Sequence, residues 1–488
     1  MENNRSEKLG TMPIPKLLWM MSAPAILSMF VQSLYNVVDS IFVAKISETA
    51  LTAVTLAFPM QMLVLAFSLG IGIGTNSIIS RRLGEKNFEE ASKIAKNGLF
   101  MAVCTGLFFL VFGYFIATLF ADIFTEKGTL LYNYTKDYLV ICVAMSFGMF
   151  IEICITKIMQ ATGNMIIPMV TQLIGAITNI VLDYIFIFGK LGFPAMGVAG
   201  AALATVIGQI VAMIFAIYKF SKMKLDFSLA LKGFRPNKCT LIEITKIGTP
   251  VAVMNSVGSV AIGALNGILI VISKTAVAVL GVYFKLQSFI FMPVFGLNQG
   301  SMPILGYNYG ANNKSRFRQT ILVCFCSALT ILSIGLLLFQ ILPKQMLELF
   351  SASDEMIDVG VNALRFISLS FIPAAMGIVM INMFQSIGHG FKSMAMSLLR
   401  QIIFLLPIAF LLSKVTILKY VWLAFPIAEI LTVIIFFPIA VQTIKTAFRK
   451  RAQFSGIAND PNGLIDNFVA DSLENNTTIN NTLDKSDK

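Results

Sequence analysis

The chain has 488 residues, of which 57% are hydrophobic and only 13% charged, and its mean hydropathy is +0.80. Soluble proteins carry about 25% charged residues, so the composition excludes a soluble globular protein and predicts a polytopic membrane protein in a lipid bilayer. The net charge of +12 does not indicate nucleic-acid binding, because the basic residues fall between apolar stretches, mainly on alternate loops.

Apolar stretches long enough to cross a bilayer recur along the whole chain. About 20 residues at 1.5 Å per residue cross a hydrocarbon core about 30 Å thick. We predict about twelve transmembrane helices, called spans 1 to 12 below, and therefore an all-α fold. Their expected bounds, in chain order, are 17–44, 51–80, 97–121, 136–160, 168–188, 198–218, 246–272, 277–305, 319–342, 359–386, 393–413 and 419–444.

The loops between these spans differ in charge. Lysine and arginine cluster before span 1 and after spans 2, 6, 8 and 12, whereas the alternate loops carry fewer. The positive-inside rule then predicts that both termini lie in the cytoplasm. Span 1 has no small-residue cleavage site, so we expect it to be retained. Residues 451–488 are rich in Asn, Asp and Thr, which predicts a disordered cytoplasmic tail.

The two halves of the chain are related by an internal repeat. Six pairs of identical residues are separated by 226 positions: Pro24 and Pro250, Phe58 and Phe284, Gly70 and Gly296, Gly74 and Gly300, Gly84 and Gly310, Asn87 and Asn313. Because an even number of spans separates the equivalent positions, the two six-helix bundles are parallel repeats. We expect lobes at 1–235 and 236–450, an arrangement that favours a transporter over a channel.

Two carboxylates, Asp39 and Asp183, lie inside predicted spans 1 and 5. An Asp at the centre of a membrane helix costs about 2.5 to 3.5 kcal/mol on insertion scales, so such residues indicate function. Asn179 lies one helical turn from Asp183, and Thr205 of span 6 is expected at a similar depth. The three C-terminal equivalents of Asp39, Asn179 and Asp183 are apolar: Leu265, Phe404 and Ile408.

These residues predict a cation-coupling site formed by Asp39, Asn179, Asp183 and Thr205. Two carboxylates in a poorly solvated pocket cannot both ionise cheaply, so the site can bind a proton. Alternatively, Asp39, Asn179 and Asp183 could supply oxygen ligands to Na⁺. The sequence leaves H⁺ and Na⁺ open as the coupling ion, and we expect no cofactor and no other metal. A purely structural role in helix contacts is the competing interpretation.

A second set of polar residues is expected to line a substrate cavity, because a spanning helix would normally exclude them: Gln32, Tyr35, Asn36, Glu152, Asn255, Lys285, Gln287 and Gln385. Lys285 is the only deep cation that we predict for this cavity, and it is also a candidate structural ion-pair partner of Glu429. Glu152 could instead pair with Lys157. The 41 Phe and 26 Met residues suit variable apolar cations.

Several motifs resemble those of the multidrug and toxin extrusion (MATE) family, in the bacterial branch near the staphylococcal multidrug export protein MepA and DinF-type members. The motifs are Tyr35 to Asp39, Gly70 to Gly74, Leu83-Gly84, Asn179 to Asp183, Gly197 to Thr205, Gly296 to Gly300 and Gly306 to Ala311. The resemblance implies export of amphipathic cationic drugs in exchange for H⁺ or Na⁺ by alternating access, with the coupling residues matching the family's N-lobe cation site. Spans 7 and 10 lack the acidic residues of the NorM branch, so a second Na⁺ site is not expected.

The sequence also bears on other classes of function. No nucleophile, base or metal-ligand constellation accompanies the single histidine, His389, so we expect a transporter and not an enzyme. The alternative is a lipid-linked or polyisoprenoid flippase of similar helical plan. Such a flippase needs a cationic cavity for phosphate, whereas the predicted cavity carries several carboxylates. A monomer that exports small-molecule cationic drugs is expected.

Overall fold

The fold is that of a computed structural model, which describes residues 5–229, 234–350, 353–415 and 418–457. Within these residues the secondary structure is helical, without strands. The chain divides into two compact units, Met1–Phe436 and Phe437–Lys488. The described part of the second unit continues the last helix, which ends at Ile457. Most of the predicted tail, from residue 458 on, lies outside the described residues.

Among the described residues, ten helices are long and apolar enough to cross a membrane. They confirm ten of the predicted spans, with bounds that mostly differ by a few residues. These helices are Ile14–Ala44 (span 1), Glu48–Gly84 (span 2), Phe88–Phe124 (span 3), Ile166–Phe188 (span 5), Gly197–Lys222 (span 6), Lys238–Ile270 (span 7), Lys274–Gly310 (span 8), Lys314–Ile341 (span 9), Gly390–Val415 (span 11) and Leu418–Arg449 (span 12).

Spans 4 and 10 are each broken into two helices. Span 4 consists of Leu130–Ala144 and Phe147–Ala161, which meet at 45°, and span 10 consists of Asp354–Ser368 and Phe371–Ser386, which meet at 49°. Each break contains a serine, Ser146 or Ser370. Its backbone N–H donates to the carbonyl oxygen of the residue three positions earlier. The bends therefore occur at similar points of the repeat, and the hydropathy pattern did not predict them.

Shorter elements complete the fold. A 3-10 turn at Arg5–Glu7 and a helix at Lys8–Thr11 precede span 1, and Pro343–Glu348 follows span 9. Within span 11, Leu399–Leu405 forms a π-helix. Span 12 is built from Leu418–Val421 and a long helix, Ala424–Ile457.

The N-terminal half (spans 1–6) and the C-terminal half (spans 7–12) meet along two glycine seams. In the first seam, span 2 packs on span 7, and in the second, span 8 packs on span 1. A Cβ atom added at Gly70 would lie 2.6 Å from the Gly248 carbonyl oxygen, and one at Gly296 would lie 2.6 Å from Ile26 Cα. Because Gly70 and Gly296 are repeat equivalents, the two seams follow the internal symmetry.

Both seams lie toward the end of the helices that carries Arg81, Arg82 and Arg316, called the basic end below. There, both Arg81 and Arg82 of span 2 pair with Glu243 of span 7, at 3.7 and 3.6 Å. The Ser77 hydroxyl of span 2 donates to the Gln385 carbonyl oxygen of span 10 at 2.6 Å. Polar contacts as well as close helix packing therefore join the halves at this end.

Candidate functional site

Span 5 carries two of the predicted coupling residues and packs against spans 1 and 6. Its contact with span 6 is close because both helices place glycine there. A Cβ atom added at Gly208 would lie 2.8 Å from the Gly175 carbonyl oxygen and 3.2 Å from Asn179 Cβ. The absence of a side chain at position 208 thus allows Thr205, one turn away, to reach Asn179.

A hydrogen-bonded chain links Asp183, Asn179 and Thr205. The Asn179 amide fits with its nitrogen donating to Asp183 Oδ2 at 3.2 Å. In this orientation its oxygen accepts from the Thr205 hydroxyl and from the Thr205 backbone N–H, each at 3.2 Å. The amide orientation follows from the hydrogen-bond network, since its oxygen and nitrogen are otherwise equivalent in shape. Spans 5 and 6 thereby fix one carboxylate oxygen.

The remaining carboxylate oxygens of the site are less well satisfied. Asp183 is fully buried, and its Oδ1 atom has no hydrogen-bond partner among the described residues. The same holds for the buried Oδ1 atom of Asp39 on span 1. The two carboxylates lie close enough for their charges to interact. A pair of buried, unpartnered carboxylate oxygens is suited to take up a proton or a small cation.

Two of the predicted cavity residues lie near this pair. Tyr35 of span 1 lies within electrostatic range of Asp39, Asp183 and Glu152. Glu152 is partly buried on the second helix of span 4. The structure therefore brings Asp39, Asp183, Tyr35 and Glu152 into one region of the N-terminal half.

A small cavity adjoins the coupling residues inside the N-terminal half. Its volume is about 40 Å³, and it lies between spans 2, 4 and 6. About 10 to 15 Å³ of such volume holds one water molecule, so there is room for a few. Polar and apolar side chains line it: Gln61, Val64, Cys142, Val143, Met149, Thr205, Val206 and Gln209. Water here would contact Thr205, at one end of the hydrogen-bonded chain.

The other predicted cavity residues are placed differently. Gln32 accepts from Gln172 Nε2 at 3.0 Å, so it joins spans 1 and 5. Asn255 is exposed, and its amide donates to the Val251 carbonyl oxygen of its own helix. Asn36 is exposed and Gln287 is partly buried. Gln385 is buried between the halves, with its amide nitrogen 4.0 Å from Met254 Sδ.

The predicted ion pair between Lys285 and Glu429 is wrong. Glu429 Oε1 instead accepts from Arg400 Nη1 at 3.1 Å, and Arg400 lies in the π-helical segment of span 11. Lys285 is exposed, and its ammonium group lies 5.9 Å from the centre of the Phe350 ring. Lys285 is therefore not the deep cation that we predicted.

A different cation, Lys157, is buried at a contact between the halves. Only 8% of its surface is exposed, and its ammonium group donates to Gln160 Oε1 and Gln299 Oε1, each at 3.0 Å. Gln299 belongs to span 8, so this contact crosses between the halves. The sequence signal, a lysine within predicted span 4, was visible, but we assigned it only as a possible partner of Glu152.

The comparison with known families settles the class of the chain. The sequence model of the MatE family matches twice, at residues 24–185 and at residues 250–411. The chain belongs to the MatE family. The two matched stretches begin 226 positions apart, which confirms the internal repeat, and the family confirms the MATE resemblance found in the sequence.

Relatives across this family are similar over most of their length. The multidrug export protein MepA of Staphylococcus haemolyticus is 26% identical over 400 residues, which cover 82% of this chain and 87% of the relative. A probable multidrug resistance protein NorM of Thermotoga maritima is 26% identical over 403 residues, covering 82% and 86%.

A solved structure confirms the fold of this MatE member. It is an outward-facing conformation of a multidrug resistance MATE family transporter of the MOP superfamily, with a TM-score of 0.85 and 26% identity. The match covers 92% of this chain and 99% of the solved one. The chain is thus a multi-pass membrane protein built from two repeated halves.

Proposed function

We propose that this MatE member is a secondary active multidrug efflux antiporter that exports amphipathic organic cations in exchange for H⁺ or Na⁺. The observation that carries the proposal is the buried pair of Asp39 and Asp183, each with an unpartnered oxygen among the described residues. Support also comes from relatives whose names describe multidrug export or resistance. The exporter acts as a monomer in the bacterial plasma membrane, with the basic end and both termini in the cytoplasm.

In the proposed cycle the coupling ion and the drug bind in alternation. A proton would bind Asp39 or Asp183 and discharge the pocket, and Na⁺ would instead use the same carboxylate oxygens. Asn179 and Thr205 hold Asp183 Oδ2 in place, so binding is directed to the free Oδ1 atoms. One elementary charge moving across 100 mV supplies about 2.3 kcal/mol before any concentration gradient is added.

Drug movement follows from rocking of the two halves. The seams and the contacts of Arg81, Arg82 and Glu243 hold the basic end together, so this conformation corresponds to the outward-facing state of the cycle. Ion binding repacks span 1 around Asp39, and the drug leaves to the outside. Opening at the basic end then admits the next cation from the cytoplasm or the inner leaflet.

The test is ethidium efflux from cells, and ethidium uptake into everted vesicles, that contain the wild type, Asp183→Asn or Glu126→Gln. Glu126 is an exposed carboxylate outside the site and serves as the matched control. A protonophore and a sodium ionophore collapse the two gradients separately. We expect Asp183→Asn to abolish efflux, Glu126→Gln to retain it, and one ionophore to stop the wild type, which identifies the coupling ion.

The flippase alternative predicts a different result. The charge argument against a flippase is weaker in the structure, because Lys157 is a buried cation whereas Lys285 is exposed. A flippase would export no ethidium under either gradient and would translocate a fluorescent polyisoprenyl phosphate in liposomes. That outcome, or full efflux by both Asp39→Asn and Asp183→Asn, would refute the antiporter proposal.

A further inference from the structure

Lys157 carries a charge that the coupling site does not use. Its ammonium group is bound by two neutral amide oxygens, Gln160 Oε1 and Gln299 Oε1. Glu152 is close enough to interact electrostatically, but no carboxylate of the described residues lies within the 4.0 Å of an ion pair. A buried ammonium without a paired anion is costly inside a membrane protein, which indicates a functional reason for it.

The surroundings of Lys157 contain more donors than good acceptors. An ammonium group has three N–H donors, of which Gln160 and Gln299 accept two. The amide nitrogen of Gln299 faces the thioether sulfur of Met29 at 3.5 Å, and a thioether is a weak acceptor. An oxyanion would satisfy both the third ammonium donor and the Gln299 amide.

Lys157 lies at a contact between the two halves. Its contact with Gln299 joins the second helix of span 4 to span 8, so it lies where the halves separate during rocking. The stem of the lysine packs on Gly72, where an added Cβ atom would lie 2.8 Å from Lys157 Cγ. The lysine is therefore held in place by span 2, while Gln299 moves with the other half.

The buried charges are also separated along the helices. Asp39 and Asp183 lie toward the end opposite the basic end, and Lys157 lies near the end of span 4 toward the basic end. A molecule with a cationic group and an anionic group would match both regions. A monocation would match only the carboxylates.

We propose that Lys157 recognises an anionic oxygen group on the cargo, so that the exporter prefers soluble zwitterionic amphiphiles to otherwise identical monocations. This inference rests on the proposed function and adds the class of substrate. Lys157 is the specificity-determining residue, and Gln299 positions its ammonium group.

The experiment compares norfloxacin, which is zwitterionic at neutral pH, with its ethyl ester, which is a monocation of the same ring system. Binding to the purified full-length protein is followed by the fluorescence of the ligands. We expect Lys157→Met to weaken norfloxacin binding about tenfold or more, as expected for a lost charge-assisted hydrogen bond. Binding of the ester should change by less than about twofold, and Lys157→Arg should retain the preference.

A second variant keeps the lysine and changes only its partner. In Gln299→Glu the side chain keeps its shape, but a carboxylate lies beside the Lys157 ammonium. This carboxylate fills the place in which the anionic group of the cargo would bind. We expect the same selective loss of norfloxacin binding, with unfolding temperature and ester binding retained. This variant decides the question if Lys157→Met does not fold.

Equal loss of both ligands in Gln299→Glu and Lys157→Met, or no change in their affinity ratio, would overturn the inference and leave Lys157 with a packing role. The ethidium assay separates this failure from that of the proposed function. If the wild type exports ethidium but the ratio does not depend on Lys157, only the substrate preference is wrong. If the wild type exports no ethidium, the antiporter itself is wrong.

Discussion

Buried carboxylates in the two halves share one pattern of hydrogen bonding but differ in charge. Asp183 has one oxygen held by the Asn179 amide, and Glu429 has one oxygen held by Arg400. The other oxygen of each has no partner among the described residues. Arg400 neutralises Glu429, whereas a neutral amide holds Asp183, so the charge of Asp183 is left without a paired cation among the described residues.

The first residue-scale prediction concerns Thr205. Thr205→Val removes the hydroxyl that donates to the Asn179 amide oxygen. The backbone N–H of residue 205, which donates to the same oxygen, is kept. The loss of one buried hydrogen bond of about 1.5 kcal/mol should lower the efflux rate about tenfold. Thr205→Ser keeps the hydroxyl and is the matched control, measured by ethidium efflux. Equal rates for the two variants would mean that Thr205 does not orient the amide.

The second residue-scale prediction concerns the Arg400 and Glu429 pair, whose side chains are 22% and 14% exposed. Arg400→Met leaves a buried carboxylate unpaired and should cost about 3 to 5 kcal/mol of stability. The double variant Arg400→Met with Glu429→Leu should recover most of that loss. Thermal unfolding in detergent measures both. A single variant as stable as the wild type would show that Glu429 does not need its partner.

At the residue scale, the sequence predicted the relative positions of residues that lie on the same helix. Asn179 and Asp183 are four residues apart, so helical periodicity alone puts them on one face. Partners on other helices were less predictable. The pairing of Glu429 with Arg400 joins spans 12 and 11, and the contact of Lys157 with Gln299 joins the two halves. The hydropathy pattern does not show which residues of different helices contact each other.

At the scale of elements, the helices are placed by small residues at their crossings. Span 7 shows this on one helix, since a Cβ atom at Gly248 would lie 2.6 Å from the Gly70 carbonyl oxygen. A Cβ atom at Gly263 of the same helix meets nothing within 4 Å. The repeat located Gly70 and Gly296 in advance, but their partners across the seams could be found only in the packed structure.

This contrast gives a matched pair of variants. Both Gly248→Ala and Gly263→Ala gain helix propensity of about 1 kcal/mol. Gly248→Ala must in addition push spans 2 and 7 apart, because the atom it meets is backbone and cannot rotate away. We expect at least a tenfold loss of efflux for Gly248→Ala and less than a twofold change for Gly263→Ala. Equal efflux by both would show that the close seam is not required for transport.

At the scale of the whole molecule, the start of the chain takes part in holding the halves together. Leu9 is fully buried, and its carbonyl oxygen accepts from Asn308 of span 8 at 3.0 Å and from Arg316 of span 9 at 3.3 Å. Arg316 also donates to the Met12 carbonyl oxygen at 2.7 Å. On the other side, a Cβ atom at Gly163, which follows span 4, would lie 3.3 Å from Leu9. Residues of both halves therefore enclose this segment at the basic end.

Alternating access requires the basic end to open, and the segment around Leu9 must then lose contacts with one half. We expect a thiol at Leu9→Cys, in a protein whose six native cysteines are replaced, to react with maleimide at least tenfold more slowly than one at the exposed Glu7→Cys. Adding Arg316→Met removes two hydrogen bonds to the segment and should raise the rate at Leu9 toward that at Glu7. Equal rates with Arg316 intact would contradict a closed basic end. A slow rate that persists in Arg316→Met would mean that the basic end is kept closed by the burial of Leu9 and not by the hydrogen bonds from Arg316.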